Sequence, residues 1–208
     1  MNQPQTFSDK LRLIFKNILD PIGRFLNRLG LTPNSITLLG LAGTMFGAFL
    51  ISQGKMTMGG IVLLLFELVD TLDGTMARLR GDPNDFGGFV DSVSDRYAEF
   101  ITFGGLIYYF LSQENYPGVM VTFAATAGSV LVSYVKARAE GLGFTAKVGL
   151  LTRVERYIVL IPALIFNQPY LAVILIAVLG NITALQRIFY VRVQGHERMR
   201  KAAENKSA

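Results

Sequence analysis

Six apolar runs close to the length of a bilayer crossing constrain this chain more than anything else in it. They lie at roughly 35–53, 57–80, 86–111, 119–137, 150–166 and 170–192. So many runs leave almost no chain for a water-soluble domain. With 51% hydrophobic and only 17% charged residues, the composition exceeds what the core of a 208-residue soluble domain needs. The expected fold is therefore an all-α integral membrane protein with six transmembrane helices.

The cations orient it. Of 20 Lys and Arg, the first, third and fifth connections hold only Lys55. The rest gather at the N-terminal segment, the second and fourth connections and the C-terminal region, apart from Arg96 inside the third run. Lys and Arg favour the cytoplasmic side, so both termini and the even-numbered connections are expected there, in a multi-pass protein of the cell membrane. The net charge of +5 is accordingly topological, and no nucleic-acid partner is expected.

Residues 1–9 are polar, with no cleavable signal pattern. Between residues 7 and 29, Leu11, Ile14, Phe15, Ile18, Ile22 and Phe25 interleave at helical spacing with Lys10, Arg12, Lys16, Arg24 and Arg28. That pattern suits an amphipathic helix lying on the membrane interface, broken or kinked at Pro21. The stretch 31–35 reads as a turn before the first span, with Asn34 and Ser35 both able to cap it. The division is thus 1–33 interfacial helix and turn, 34–193 six-helix domain, and 194–208 cytoplasmic polar tail. Gly43 and Gly47 form a GxxxG suited to close packing within the chain or against another subunit.

Catalytic chemistry is narrowed by what is missing. Without cysteine there is no disulfide, thiolate nucleophile or Cys-ligated zinc, and the single histidine, His196, lies in the charged tail. Carboxylates remain, and eight of the 15 acids fall between Glu67 and Glu99. Each ionised group in hydrocarbon costs several kcal/mol, on the order of 3 by insertion scales, unless a partner compensates it. Asp70 and Asp73 are spaced i, i+3 and Asp91 and Asp95 i, i+4, so each pair projects from one helix face. A short hairpin at 80–86, with Gly81 and Pro83 as breakers, returns the third run antiparallel to the second and lets the faces meet. Four hard oxygen donors then converge on a divalent cation, Mg²⁺ or Mn²⁺ rather than zinc, with room for two ions. Gly74 and Ala77 keep the helix surface low beside the acids, and Arg78 reaches toward a phosphate. Glu67 and Glu99 read as helix-interface groups, and Asp82 and Asp85 as solvated loop charges. A divalent-cation transporter would also explain acids in the membrane, but not the small residues or the basic cluster described below.

Asp70, Asp73, Gly74, Ala77, Arg78, Gly87, Asp91 and Asp95 meet every defined position of the pattern D-x2-D-G-x2-A-R-x8-G-x3-D-x3-D. This block resembles the signature of the CDP-alcohol phosphotransferase family, and the six runs and interfacial segment are similar to that family as well. The resemblance implies transfer of a phosphatidyl group from CDP-diacylglycerol to an acceptor hydroxyl, with release of CMP. It implies that Asp70, Asp73 and Asp91 ligate one metal, that Asp70, Asp91 and Asp95 surround a second, and that Asp95 is the general base. Gly74, Arg78 and Asn84 fall where the family contacts the CDP moiety, the turn from Asn34 to Thr37 should close over the nucleotide, and a homodimer is expected.

Seven basic residues follow the third run: Lys136, Arg138, Lys147, Arg153, Arg156, Arg187 and Arg192. The stretches 133–140 and 153–156 resemble the branch of the family that makes phosphatidylinositol phosphate, although Thr152 and Val154 stand where that branch carries Glu and Pro. By this resemblance Lys136, Arg153, Arg156 and Arg187 hold the phosphate of a soluble phosphorylated alcohol, inositol phosphate first and glycerol 3-phosphate as the alternative. Such a dianion calls for several charge-assisted donors.

Overall fold

The apolar runs become helices almost where the hydropathy places them. The computed structural model describes residues 7–81 and 85–207, with side chains over 16–81 and 85–205. The described residues form seven α-helices and no strand: α1 (Phe7–Arg28), α2 (Pro33–Ser52), α3 (Met56–Arg80), α4 (Asp85–Ser112), α5 (Tyr116–Gly141), α6 (Arg153–Ile165) and α7 (Pro169–Ser207). Three of them, α2, α5 and α7, are long and apolar enough to cross a membrane. Helices α3 and α4, of 25 and 28 residues, are long enough but carry the acids. The chain divides into two compact units, Met1–Gly105 and Leu106–Ala208.

In the first unit α2 and α3 form a close antiparallel pair, and glycines make the closeness possible. A methyl group on Gly43 would overlap the Phe66 ring, and one on Gly47 would lie 3.0 Å from Leu63. The GxxxG of α2 therefore packs inside the chain, against α3. Helix α1 lies along the far end of α3, where Leu19 and Leu26 pack on Ile36, Leu72 and Met76. Gly23 lets α1 approach Thr75 and Leu79, Asn27 Nδ2 donates to the Met76 carbonyl at 3.2 Å, and Arg80 donates to Asn27 Oδ1 at 2.7 Å and to the Leu31 carbonyl at 2.5 Å.

Two local expectations need correction. Helix α1 continues through Pro21, so the proline does not break it. The N-cap of α2 is Thr32, not Asn34 or Ser35. Pro33 supplies a first-turn position that needs no N–H, so the helix starts there, and Ser35 N donates to Thr32 Oγ1 at 3.2 Å.

In the second unit α5 packs on α7 where Gly128 meets Asn181, whose Nδ2 donates to the Ala124 carbonyl at 3.1 Å. Helix α6 begins at Arg153, three residues inside its apolar run. Residues 142–152 before it are mostly irregular, with Gly143 and Gly149 at φ +73° and +133°. At Gly149 a side chain would also collide with Thr183.

Candidate active site

The acids of α3 and α4 meet in the first unit. Carboxylate oxygens of Asp70, Asp91 and Asp95 all lie within 4.8 Å of one another, each residue half-buried. The i, i+4 spacing on α4 sets two of them on one face. The third is admitted by α2, because a Cβ at Gly40 would come 3.2 Å from Asp70 Oδ1. Three like charges this close repel strongly unless a cation or protons intervene. The donors are all oxygens, the kind of set that hard divalent cations such as Mg²⁺ or Mn²⁺ prefer.

Asp73 stands apart from that trio, although near enough to Asp70 and Asp91 to feel their charges. It is 8% exposed. Thr37 of α2 donates to its Oδ2 at 2.6 Å, and the Gly74 amide donates to its Oδ1. Sequence reasoning expects all four carboxylates to converge. The fourth, Asp73, is held by the buried Thr37 across the α2–α3 interface, a partner of which spacing along α3 carries no sign.

Asp73 and Asp91 face a cavity of about 800 Å³ whose lining also includes Asn34, Thr37, Gly74 and Arg78. This brings together the residues expected to contact a CDP moiety, except Asn84, which lies outside the described residues. Ala77, Gly87 and Gly88 line the same space without filling it. Arg78 Nη2 donates to Thr75 Oγ1 at 3.0 Å, one helical turn back. Asp85, expected as a solvated loop charge, is exposed as expected, but it is the first residue of α4 and lines the cavity.

Sequence reasoning missed Arg96. It pairs with Asp95 at 3.6 Å and with Glu99, 3% exposed, at 3.5 Å, so an internal cation sits against one of the clustered carboxylates. The available signal was a lone Arg in an apolar run, with acids one residue before and three after it.

The expected acceptor residues occupy the second unit. Arg156 and Arg187 are 2% and 4% exposed and close enough for their charges to interact. Arg187 donates to the Val132 and Val148 carbonyls at 2.6 and 2.9 Å, and Arg156 to the Leu151 carbonyl at 3.2 Å. Arg153 lies over the Tyr157 ring, 5.3 Å from its centre. Lys136 is exposed and pairs with Glu140 at 3.9 Å. Thr152, where the resemblance led to the expectation of Glu, donates to Glu155 in the first turn of α6.

Comparison with known proteins follows the same lines. The family model for CDP-alcohol phosphatidyltransferase matches residues 30–187. The archaetidylinositol phosphate synthase of Pyrococcus horikoshii is 36% identical over 186 residues, covering 86% of this chain and 94% of that protein. The phosphatidylinositol phosphate synthase of Mycobacterium tuberculosis, solved with CDP-DAG bound, superposes with a TM-score of 0.80 at 34% identity, over 84% of this chain and 94% of that one. The same enzyme solved with manganese and citrate also gives 0.80 at 34%, over 84% and 88%.

Proposed function

Because the chain belongs to the CDP-alcohol phosphatidyltransferase family, we propose that it transfers the phosphatidyl group of CDP-diacylglycerol to a hydroxyl of inositol phosphate, giving phosphatidylinositol phosphate and CMP. The observation that carries this is the meeting of Asp70, Asp91 and Asp95 on the helices that also line the cavity. Family membership sets the transport alternative aside.

Two divalent ions are the proposed complement, Mg²⁺ with Mn²⁺ able to replace it. Asp70, Asp73 and Asp91 would hold one, and Asp70, Asp91 and Asp95, the trio that converges, the other. When bound, such ions neutralise the pyrophosphate and stabilise the departing CMP. The chain's own residues do the rest. Asp95 accepts the proton of the attacking hydroxyl, while Gly74, Arg78 and Asn84 contact the cytidine diphosphate and Asn34 and Thr37 close over it. Lys136, Arg153, Arg156 and Arg187 hold the acceptor's phosphate. Two buried guanidiniums in mutual repulsion are poised for an anion, which supports a phosphorylated acceptor over free inositol or serine.

The membrane arrangement belongs to the same reading: six spans, α1 on the interface, termini and site cytoplasmic in the cell membrane, and a homodimer. The 13 residues of α6 rise only about 20 Å. Residues 150–152 extend that run, and their irregular backbone is tolerable at depth because Leu150 and Leu151 donate to Thr183 Oγ1 at 3.2 and 3.0 Å.

The test is CMP release from CDP-diacylglycerol by purified enzyme with a panel of acceptors. Inositol phosphate should react fastest, with inositol and serine near background, and a chelator should abolish release until Mg²⁺ or Mn²⁺ is returned. Glycerol 3-phosphate as the best acceptor would replace the proposed product, and metal-independent release would remove the carboxylate mechanism. Arg153→Ala should raise the acceptor KM about tenfold or more with little change in the KM for CDP-diacylglycerol, as expected for one charge-assisted contact. Equal losses for both substrates would refute the assignment.

A further inference from the structure

The loop at 142–152 is fastened to α7 at both ends. At one end Leu150 and Leu151 donate to Thr183, and Arg187 donates to the Val148 carbonyl. At the other, Gln194 and Thr145 exchange three hydrogen bonds. Thr145 N and Oγ1 donate to Gln194 Oε1 at 3.1 and 3.2 Å, and Gln194 Nε2 donates to the Thr145 carbonyl at 2.7 Å. Arg198 donates to the Leu142 and Gly143 carbonyls at 3.3 and 2.8 Å, and its guanidinium lies 4.3 Å from the centre of the Phe144 ring.

Thr183, Arg187, Gln194 and Arg198 fall at successive offsets of four, seven and four residues, which places all of them within about 60° on one face of α7. One helix face therefore grips a segment that has little regular structure of its own and two glycines at positive φ. Only the first two of those four residues lie in the part of the chain that matches the family model, which ends at residue 187.

This segment joins the helices that carry the acceptor-phosphate donors, Lys136 on α5 and Arg153 and Arg156 on α6. An unclamped loop would let those donors sample many arrangements, and the acceptor would have to select one of them on binding. We propose that Gln194 and Arg198 are positioning residues for the acceptor: they touch no reacting group, but by holding Leu142–Thr145 they preset the basic donors for a phosphorylated alcohol. The inference rests on the acceptor assignment made above for Arg153 and its neighbours.

The experiment is steady-state kinetics of Gln194→Ala, Arg198→Ala, the double variant and Arg198→Lys, in the full chain, with inositol phosphate and CDP-diacylglycerol each varied. Hydrogen exchange of the amides at 142–149 is followed alongside. The double variant should raise the acceptor KM about tenfold, leave kcat and the KM for CDP-diacylglycerol within about twofold, and speed exchange at Thr145. Arg198→Lys, which keeps a donor but loses the planar fork, should fall between wild type and Ala. Faster exchange with an unchanged acceptor KM would overturn the positioning role, and unchanged exchange would overturn the clamp. Parallel loss of both substrates and of thermal stability would show a structural role only. Arg153→Ala separates the two levels: if it leaves acceptor KM unchanged, the acceptor assignment itself has failed, whereas a normal response there with none at Gln194 and Arg198 defeats this inference alone.

Discussion

Asp95→Asn is expected to lower kcat by about 10³-fold or more while the protein stays folded and still binds CDP-diacylglycerol. General-base removal alone accounts for about 10² to 10⁴. Asparagine matches aspartate in shape, so the packing of α4 should survive, but the amide offers one neutral oxygen where the carboxylate offers two charged ones. In the proposed mechanism Asp95 would have a double duty, as base and as one of three carboxylates whose oxygens lie within 4.8 Å of one another. Its loss should therefore not be rescued by raising pH, and extra Mn²⁺ should restore only a small part of the rate. Asp91→Asn should show the complementary pattern, with more of its defect recovered at high metal concentration. The measurement is CMP release under saturating substrates across a metal titration. A variant with near-normal kcat at either position would remove the carboxylates from the reaction. Arg96 gives a further check on interpretation, since neutralising Asp95 leaves that guanidinium paired with Glu99 alone.

Gly43→Ala is expected to be the most damaging substitution away from the carboxylates. The added methyl would occupy the space of the Phe66 ring, and α2 would have to move off α3 or the ring would have to leave. Overpacking of a close helix pair costs about 1–3 kcal/mol. The displacement would also reach the site, because Gly40 and Thr37 on the same helix set Asp70 and Asp73. Thermal unfolding in detergent should shift down and metal-supported activity should fall with it. Phe66→Leu, which leaves room beside Gly43, should restore much of both in the double variant, the non-additivity expected of touching residues. Additive losses would mean that the glycine is required for another reason.

The two predictions rest on different kinds of legibility. Asp70, Asp73, Asp91 and Asp95 were visible in the sequence because charge in an apolar run is costly and their spacing has helical periodicity. The helices were visible because apolar runs of that length have few alternatives. What spacing along one helix does not record is the partner across the interface. Thr37 holds one oxygen of Asp73, Gly40 makes room for Asp70, and Phe66 is the reason Gly43 carries no side chain. Arg96 announced itself only as an anomaly in a run, and its pairing with both Asp95 and Glu99 became clear only in the structure. The cap of α2 was misplaced for a local reason: Asn34 and Ser35 are good cap residues, but Pro33 starts the helix before either. Gln194 and Arg198 lay in a stretch that reads as a polar tail by composition, whereas α7 runs through it and its side chains hold a segment some 50 residues earlier.

That continuity has a mechanical consequence. Helix α7 is one rod of 39 residues, about 58 Å long, roughly twice the thickness of a bilayer's hydrocarbon. With its apolar portion embedded, any tilt imposed by a thinner or thicker membrane swings the water-side portion through the same angle. In the proposed membrane arrangement Gln194 and Arg198 would ride on that outer arm, which would make bilayer thickness an input to the loop they grip, and lipid composition a means of tuning how the enzyme meets a soluble acceptor.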